Sequence, residues 1–173
     1  MSEITRYRLS SEQSTVTIVG ETSLHPITVN VTPDGWLEAA IEDGSFLPES
    51  TLRGEVEIAV IEFRSGNPLV DRETRRRLNS KRYPTIRGDL TEVVALDGPT
   101  ATVKGVVTFL GRGVELEGDM SLIDDQASTC HLAGSGQMDV RWWGLEPPTL
   151  LVLKMEPVVT VSIDLHFEPV EEL

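Results

Sequence analysis

The sequence predicts an all-β protein: one domain, residues 1–173, formed by a single antiparallel barrel of about eight strands with one short α-helix capping it. Three observations lead there. Four long stretches alternate strictly between apolar and polar residues, the signature of strands with one dry and one wet face. The dry faces carry glycine at central positions, which either coils strands tightly or leaves space inside. The segments are joined by short turn signals, so neighbours run antiparallel.

Taken in order, Thr15 to Val19 reads as a strand, and Ile27, Val29 and Val31 alternate with Thr28, Asn30 and Thr32 in a second. Pro33-Asp34-Gly35 is a turn signal. Leu37, Ala39 and Ile41 form one face of a third strand, ended by Asp43-Gly44. The next hidden face is Leu52, Gly54, Val56, Ile58 and Val60, with Arg53, Glu55 and Glu57 outward.

The helix follows. Asn67 is a good N-cap and Pro68 a good first helical residue. Asp71 is placed to pair with Arg75 and Glu73 with Arg77, each four residues on. Tyr83-Pro84 marks the stop. The apolar stripe is thin, chiefly Val70 and Leu78, so the helix is expected to lie on the barrel as a lid.

A strand from Thr85 to Leu96, ended by Asp97-Gly98-Pro99, precedes the four clearest segments. Their hidden faces are Ala101, Val103, Gly105, Val107 and Phe109; Val114, Leu116, Gly118, Met120 and Leu122; Leu132, Gly134, Gly136, Met138 and Val140; and Val159, Val161, Ile163, Leu165 and Phe167. A two-residue Gly111-Arg112 turn of type II′ would set Phe109 opposite Val114 and Gly105 opposite Gly118. Membrane barrels turn their apolar residues outward. Here charge-rich faces alternate with the apolar ones, so the barrel is expected to be a soluble one.

An eight-stranded barrel can be filled by side chains or hold one small ligand. Aromatics make up only 5% of the chain and glycine takes several central sites, which favours a cavity. A bent, solid barrel whose glycines relieve crowding is the alternative. The expected lining is Leu52, Val56 and Ile58; Val103, Gly105, Val107 and Phe109; Leu116, Gly118 and Met120; Gly134, Gly136 and Met138; and Val161, Ile163 and Leu165. None is charged, so a ligand must be mainly hydrocarbon.

Charge excludes other classes. With 28 acidic against 15 basic residues the net charge is -13, which disfavours nucleic acid as a partner. Residues 64–87 run against this trend, with eight basic and two acidic residues, leaving -19 on the rest. The lid arginines Arg72, Arg75 and Arg76 are the candidate head-group ligands, since guanidinium matches phosphate, on a ligand or on an anionic membrane. Pairing with the acidic barrel wall is the other reading. Trp142 and Trp143 are a candidate belt beside the mouth.

The three histidines, His25, His131 and His166, lack the close spacing of a metal site. No G-x-S-x-G serine or phosphate-binding glycine loop is present, so neither catalysis, cofactor nor metal is expected. Cys130 is the single cysteine, and Met1 to Val19 lacks an apolar signal core. Both lead to the expectation of a cytoplasmic chain.

Several segments resemble the YceI-like family of lipocalin-type barrels. They are Tyr7-Arg8-Leu9; Leu69 to Ile86, with Asp71-Arg72, Leu78 and Tyr83-Pro84-Thr85-Ile86; Val103-Lys104-Gly105 with Gly111; and Leu132 to Leu145, ending Arg141-Trp142-Trp143-Gly144-Leu145. Arg87 and Gly88 stand where an aromatic commonly follows in the family, and Trp142-Trp143 replaces an aspartate-phenylalanine pair. The resemblance implies a lipocalin-like barrel that binds an extended polyisoprenoid, such as a quinone or polyprenyl phosphate, often as a homodimer. Storage or transport of such a lipid is the expected function. The rivals are a solid barrel acting as a protein-interaction module, and a small-barrel isomerase or cyclase acting on a lipid.

Overall fold

A computed structural model describes residues 4–47, 52–123 and 129–170. The chain forms β1 (Thr5–Leu9), β2 (Thr15–Thr22), β3 (Ile27–Val31), β4 (Asp34–Ala39), β5 (Ile41–Glu42), β6 (Ser45–Phe46) and β7 (Arg53–Ala59). A 3-10 turn (Val60–Glu62) and the helix α1 (Pro68–Arg77) follow. Then come β8 (Thr85–Asp97), β9 (Thr100–Phe109), β10 (Arg112–Ile123) and β11 (Cys130–Asp139). A second 3-10 turn (Val140–Trp143), β12 (Thr149–Leu150) and β13 (Leu153–Pro169) complete it.

The sheet runs β4-β7-β8-β9-β10-β11-β13, and β1 closes it by pairing with both β4 and β13. This is a closed, eight-stranded antiparallel barrel with one short helix. β2 and β3 pair beside β13 as continuations of β1 and β4.

Pro33-Asp34-Gly35 is therefore no reversal. The chain only bends there, passing from β3 into β4. Gly35 is needed because a Cβ would lie 2.1 Å from the Glu55 carbonyl oxygen across the β4–β7 ladder. The third predicted strand likewise stops at Ala39, and Ile41 belongs to the small β5–β6 hairpin.

The β9–β10 hairpin corrects a second expectation. Leu110 and Gly111 both take positive φ, 53° and 75°, so they are the turn residues and the turn is of the I′ kind. Phe109 then faces Arg112, Val107 faces Val114, Gly105 faces Leu116 and Gly118 faces Val103. The register differs by two residues from the predicted one, so each face survives and the opposed glycine pair does not. Gly105 instead approaches β8, where its Cβ would lie 2.8 Å from the Asp89 carbonyl oxygen. Gly105→Leu is expected to destabilise the fold by roughly 1–3 kcal/mol, read by thermal melting, because backbone cannot retreat as a side chain can.

Asn67 caps α1 by accepting from the Leu69 and Val70 amides at 3.0 and 3.4 Å, a contact worth about 1 kcal/mol. Glu73 accepts from Arg77 at 3.1 Å as expected, and from Arg76 at 3.2 Å. The Asp71–Arg75 pair does not form. Asp71 is buried and accepts from the Ser65 amide at 2.8 Å, while Arg75 donates to the Ile61 carbonyl at 3.3 Å.

The interior divides into two apolar groups. One gathers around Tyr7, Leu37, Phe46, Leu132 and Phe167 and includes Leu52. The other, around Ile58, Phe109, Val70, Leu78, Trp143 and Leu150, lies under the helix, and each group borders a cavity.

Candidate functional site

The interior holds two chambers. One, of about 290 Å³, is walled by Val16 and Ile18 of β2, Ile27 and Val29 of β3, Ile58, Ile86, Phe109, Trp143 and Leu150. The other, of about 490 Å³, lies among Leu37, Leu90, Val103, Leu116, Met120 and Leu165. They share Val56, Gly88, Val107, Met138, Val161 and Ile163 as a common waist. The two chambers therefore adjoin, and either is of the order that small-molecule sites occupy, about 300–1,000 Å³.

Every predicted lining residue borders one chamber or both, except Leu52, which is buried in the first apolar group. Glycines play two different parts. Gly118 and Gly136 have nothing within 4 Å of where a Cβ would sit, so they face open space. A Cβ on Gly134 would lie 2.9 Å from the Asp119 carbonyl oxygen, so this glycine permits a close strand approach.

That approach is where two neighbouring strands part. β10 pairs with β9 from Arg112 to Ser121 and β11 pairs with β13 along its own length, yet β10 and β11 pair only from Ser121–Ala133 to Ile123–His131. Beyond this the strands separate and the wider chamber opens through the wall between them. Gly118 and Gly136 border the slot with Glu115, Glu117, Ser135 and Gln137. At its far end Arg112 reaches across to the Trp142 carbonyl at 3.4 Å.

The tryptophans separate in role. Trp143 is buried, donates its indole N–H to the Val107 carbonyl at 2.9 Å and meets Phe109 edge-on at 6.3 Å. Trp142 is 47% exposed and lines the slot. Asp139 fixes this 3-10 turn by accepting from the Arg141 amide at 2.9 Å and from its guanidinium at 2.6 Å. The hydrogen bonds to the Arg141 guanidinium hold the Asp139 carboxyl below its ordinary value. Because the folded value is depressed, this contact stabilises above the usual carboxylate range and is lost as pH falls through the depressed value.

The basic lid is placed differently from expectation. α1 turns Thr74, Arg77 and Leu78 onto the narrower chamber, with Glu156 of β13 near them. Arg72, Arg75 and Arg76 border neither chamber. The helical spacing of Val70, Thr74 and Leu78, with Arg77 beside them, carried this signal in the sequence. The lining from β2, β3 and residues 145–150 went unassigned because those segments alternate only briefly.

No helix among the described residues is long and apolar enough to cross a membrane. No family model matches the chain, and no curated protein matches it. Solved structures do. BcnA of Burkholderia cenocepacia superposes with a TM-score of 0.78 at 12% identity, over 91% of this chain and 98% of that one. A polyisoprenoid-binding domain from Saccharophagus degradans, implicated in plant cell wall breakdown, gives 0.74 at 13% identity, over 95% and 98%. A Campylobacter jejuni YceI protein gives 0.63 at 13% identity, over 80% and 82%. The chain thus has the fold of YceI proteins and of a polyisoprenoid-binding domain.

Proposed function

We propose that the protein is a YceI-like carrier that binds an elongated isoprenoid lipid in its lumen without chemically altering it. The observation that supports this most is the pair of adjoining, largely hydrocarbon-walled chambers that share Val107 and Val161. Such a wall favours an apolar chain through burial, at about 25 cal/mol per Å², and offers little to a polar one. A lipid-modifying enzyme would need an acid or base deep in the lumen. The acidic residues Glu115, Glu117 and Asp119 sit instead on the exposed rim of the slot, and Glu156, which borders the narrower chamber, is likewise exposed. The polyisoprenoid-binding domain of like fold supports the choice of lipid class.

The polar end of the ligand is assigned to the narrower chamber, at Arg77 and Thr74. Arg77→Gln is expected to weaken a short prenyl phosphate by about tenfold while sparing an uncharged quinone, as loss of one charged hydrogen bond would. The Arg75→Gln/Arg76→Gln double variant should change neither. Fluorescence titration of all three proteins with both ligands checks this. Equal loss for both ligands in Arg77→Gln would return Arg77 to a structural role. The proposed function itself is tested by native mass spectrometry of gently purified protein: a co-purifying isoprenoid supports it, and failure to bind any prenyl lipid in titration overturns it.

A further inference from the structure

We infer that His131, Asp164 and His166 form a binding site for a borderline divalent cation of the zinc type on the outer wall of the barrel. The site is separate from the lumen. β11 and β13 set His131 directly opposite His166, between the inward pairs Cys130–Phe167 and Leu132–Leu165. Strand alternation then turns both imidazoles outward. Asp164 lies two residues before His166 and shares its face, opposite Ala133, whose small side chain lets His131 lean diagonally across.

The donors converge. The two rings stack with centroids 3.8 Å apart and 21° between planes. His131 Nε2 hydrogen-bonds Asp164 Oδ1, and His166 Nε2 lies 3.4 Å from that same oxygen. One ligand atom from each residue falls within 4.8 Å of the others. Tetrahedral coordination at about 2.0–2.1 Å brings donor atoms to roughly 3.3 Å apart. Small ring rotations supply that change, parting the His131–Asp164 contact so that each side chain faces the ion.

The donor set selects the metal. Two imidazole nitrogens and one carboxylate suit Zn²⁺, Co²⁺, Ni²⁺ or Cu²⁺, whereas Ca²⁺ and Mg²⁺ require oxygen ligands. All three side chains reach solvent, with Asp164 most exposed, so a fourth position is left for water. The chain's net charge of -13 attracts cations to its surface. An ion here would clip β11 to β13 beside the three-residue β10–β11 ladder that bounds the slot.

The test uses the full chain without a polyhistidine tag, stripped with chelator and titrated with Co²⁺, whose visible absorption reports coordination, then with Zn²⁺ in competition. One equivalent is expected to bind. His131→Gln and Asp164→Asn should each weaken it at least tenfold, and His25→Gln should leave it unchanged. Zn²⁺ should raise the melting temperature of the parent and of His25→Gln but not of the other two. Asp164→Asn preserves shape, so it keeps the test decisive if His131→Gln folds poorly. No saturable binding by the parent, or undiminished binding by folded Asp164→Asn, overturns the assignment.

Discussion

Gly88→Leu is expected to abolish lipid binding while leaving the barrel as stable as before, or more so. Gly88 sits mid-sheet, between Val56 of β7 and Val107 of β9, and borders both chambers at their waist. A Cβ there meets only the Val56 carbonyl oxygen at 4.0 Å, ordinary contact distance. The isobutyl group would occupy the passage an elongated ligand must thread. It gains burial at about 25 cal/mol per Å² and removes glycine's conformational penalty of roughly 0.5–1 kcal/mol. Affinity should fall by at least about a hundredfold, or some 2.7 kcal/mol. Fluorescent-lipid titration beside thermal melting reads both quantities. A melting point well below that of the parent would mean the waist is already filled; unchanged affinity would place the ligand elsewhere.

Trp143→Ala should give the largest loss of stability among single changes to the lumen wall. The side chain is buried, packs on Phe109 and supplies the indole donor to Val107. Truncating a buried tryptophan costs roughly 3–5 kcal/mol, part transfer and part cavity. In a chain of this size that lowers the melting temperature by about 10 °C or more. Trp143→Phe, which keeps most of the packing and loses the donor, should fall between the two. A shift of only a degree or two for Trp143→Ala would show that the 3-10 turn is not a wall of the lumen.

The strands and their inner faces were readable because period-two alternation is local and survives a register error of two residues. Gly105, Leu116 and Val161 therefore still border a chamber, although the hairpin is shifted. The register was not readable. It depends on Leu110 accepting a positive φ that leucine disfavours, which no pattern announces. The separation of β10 from β11 is set by the course of the whole sheet and leaves no mark on either strand alone. Arg77 rather than Arg75 or Arg76 reaches the lumen because of helix phase, and that phase was available from Val70 and Leu78. The His131–Asp164–His166 cluster escaped a search by spacing because its members come from strands distant in sequence and meet only through pairing.

The slot gives the barrel a weak flank as well as an opening. Along it the amides and carbonyls that would face each other across β10 and β11 have no ladder between those two strands, while just three residue pairs hold the end. Backbone groups bordering it should exchange their hydrogens with solvent well before those of the fully paired β9, and the barrel should begin to unzip there. On the proposed reading, a lipid lying lengthwise inside need not withdraw past α1; it would lift out sideways, a segment at a time. Its residence time would then be set by how readily a few cross-strand contacts breathe, and the exposed charges of Glu115, Glu117 and Asp119 disfavour pairing by a further strand along the gap.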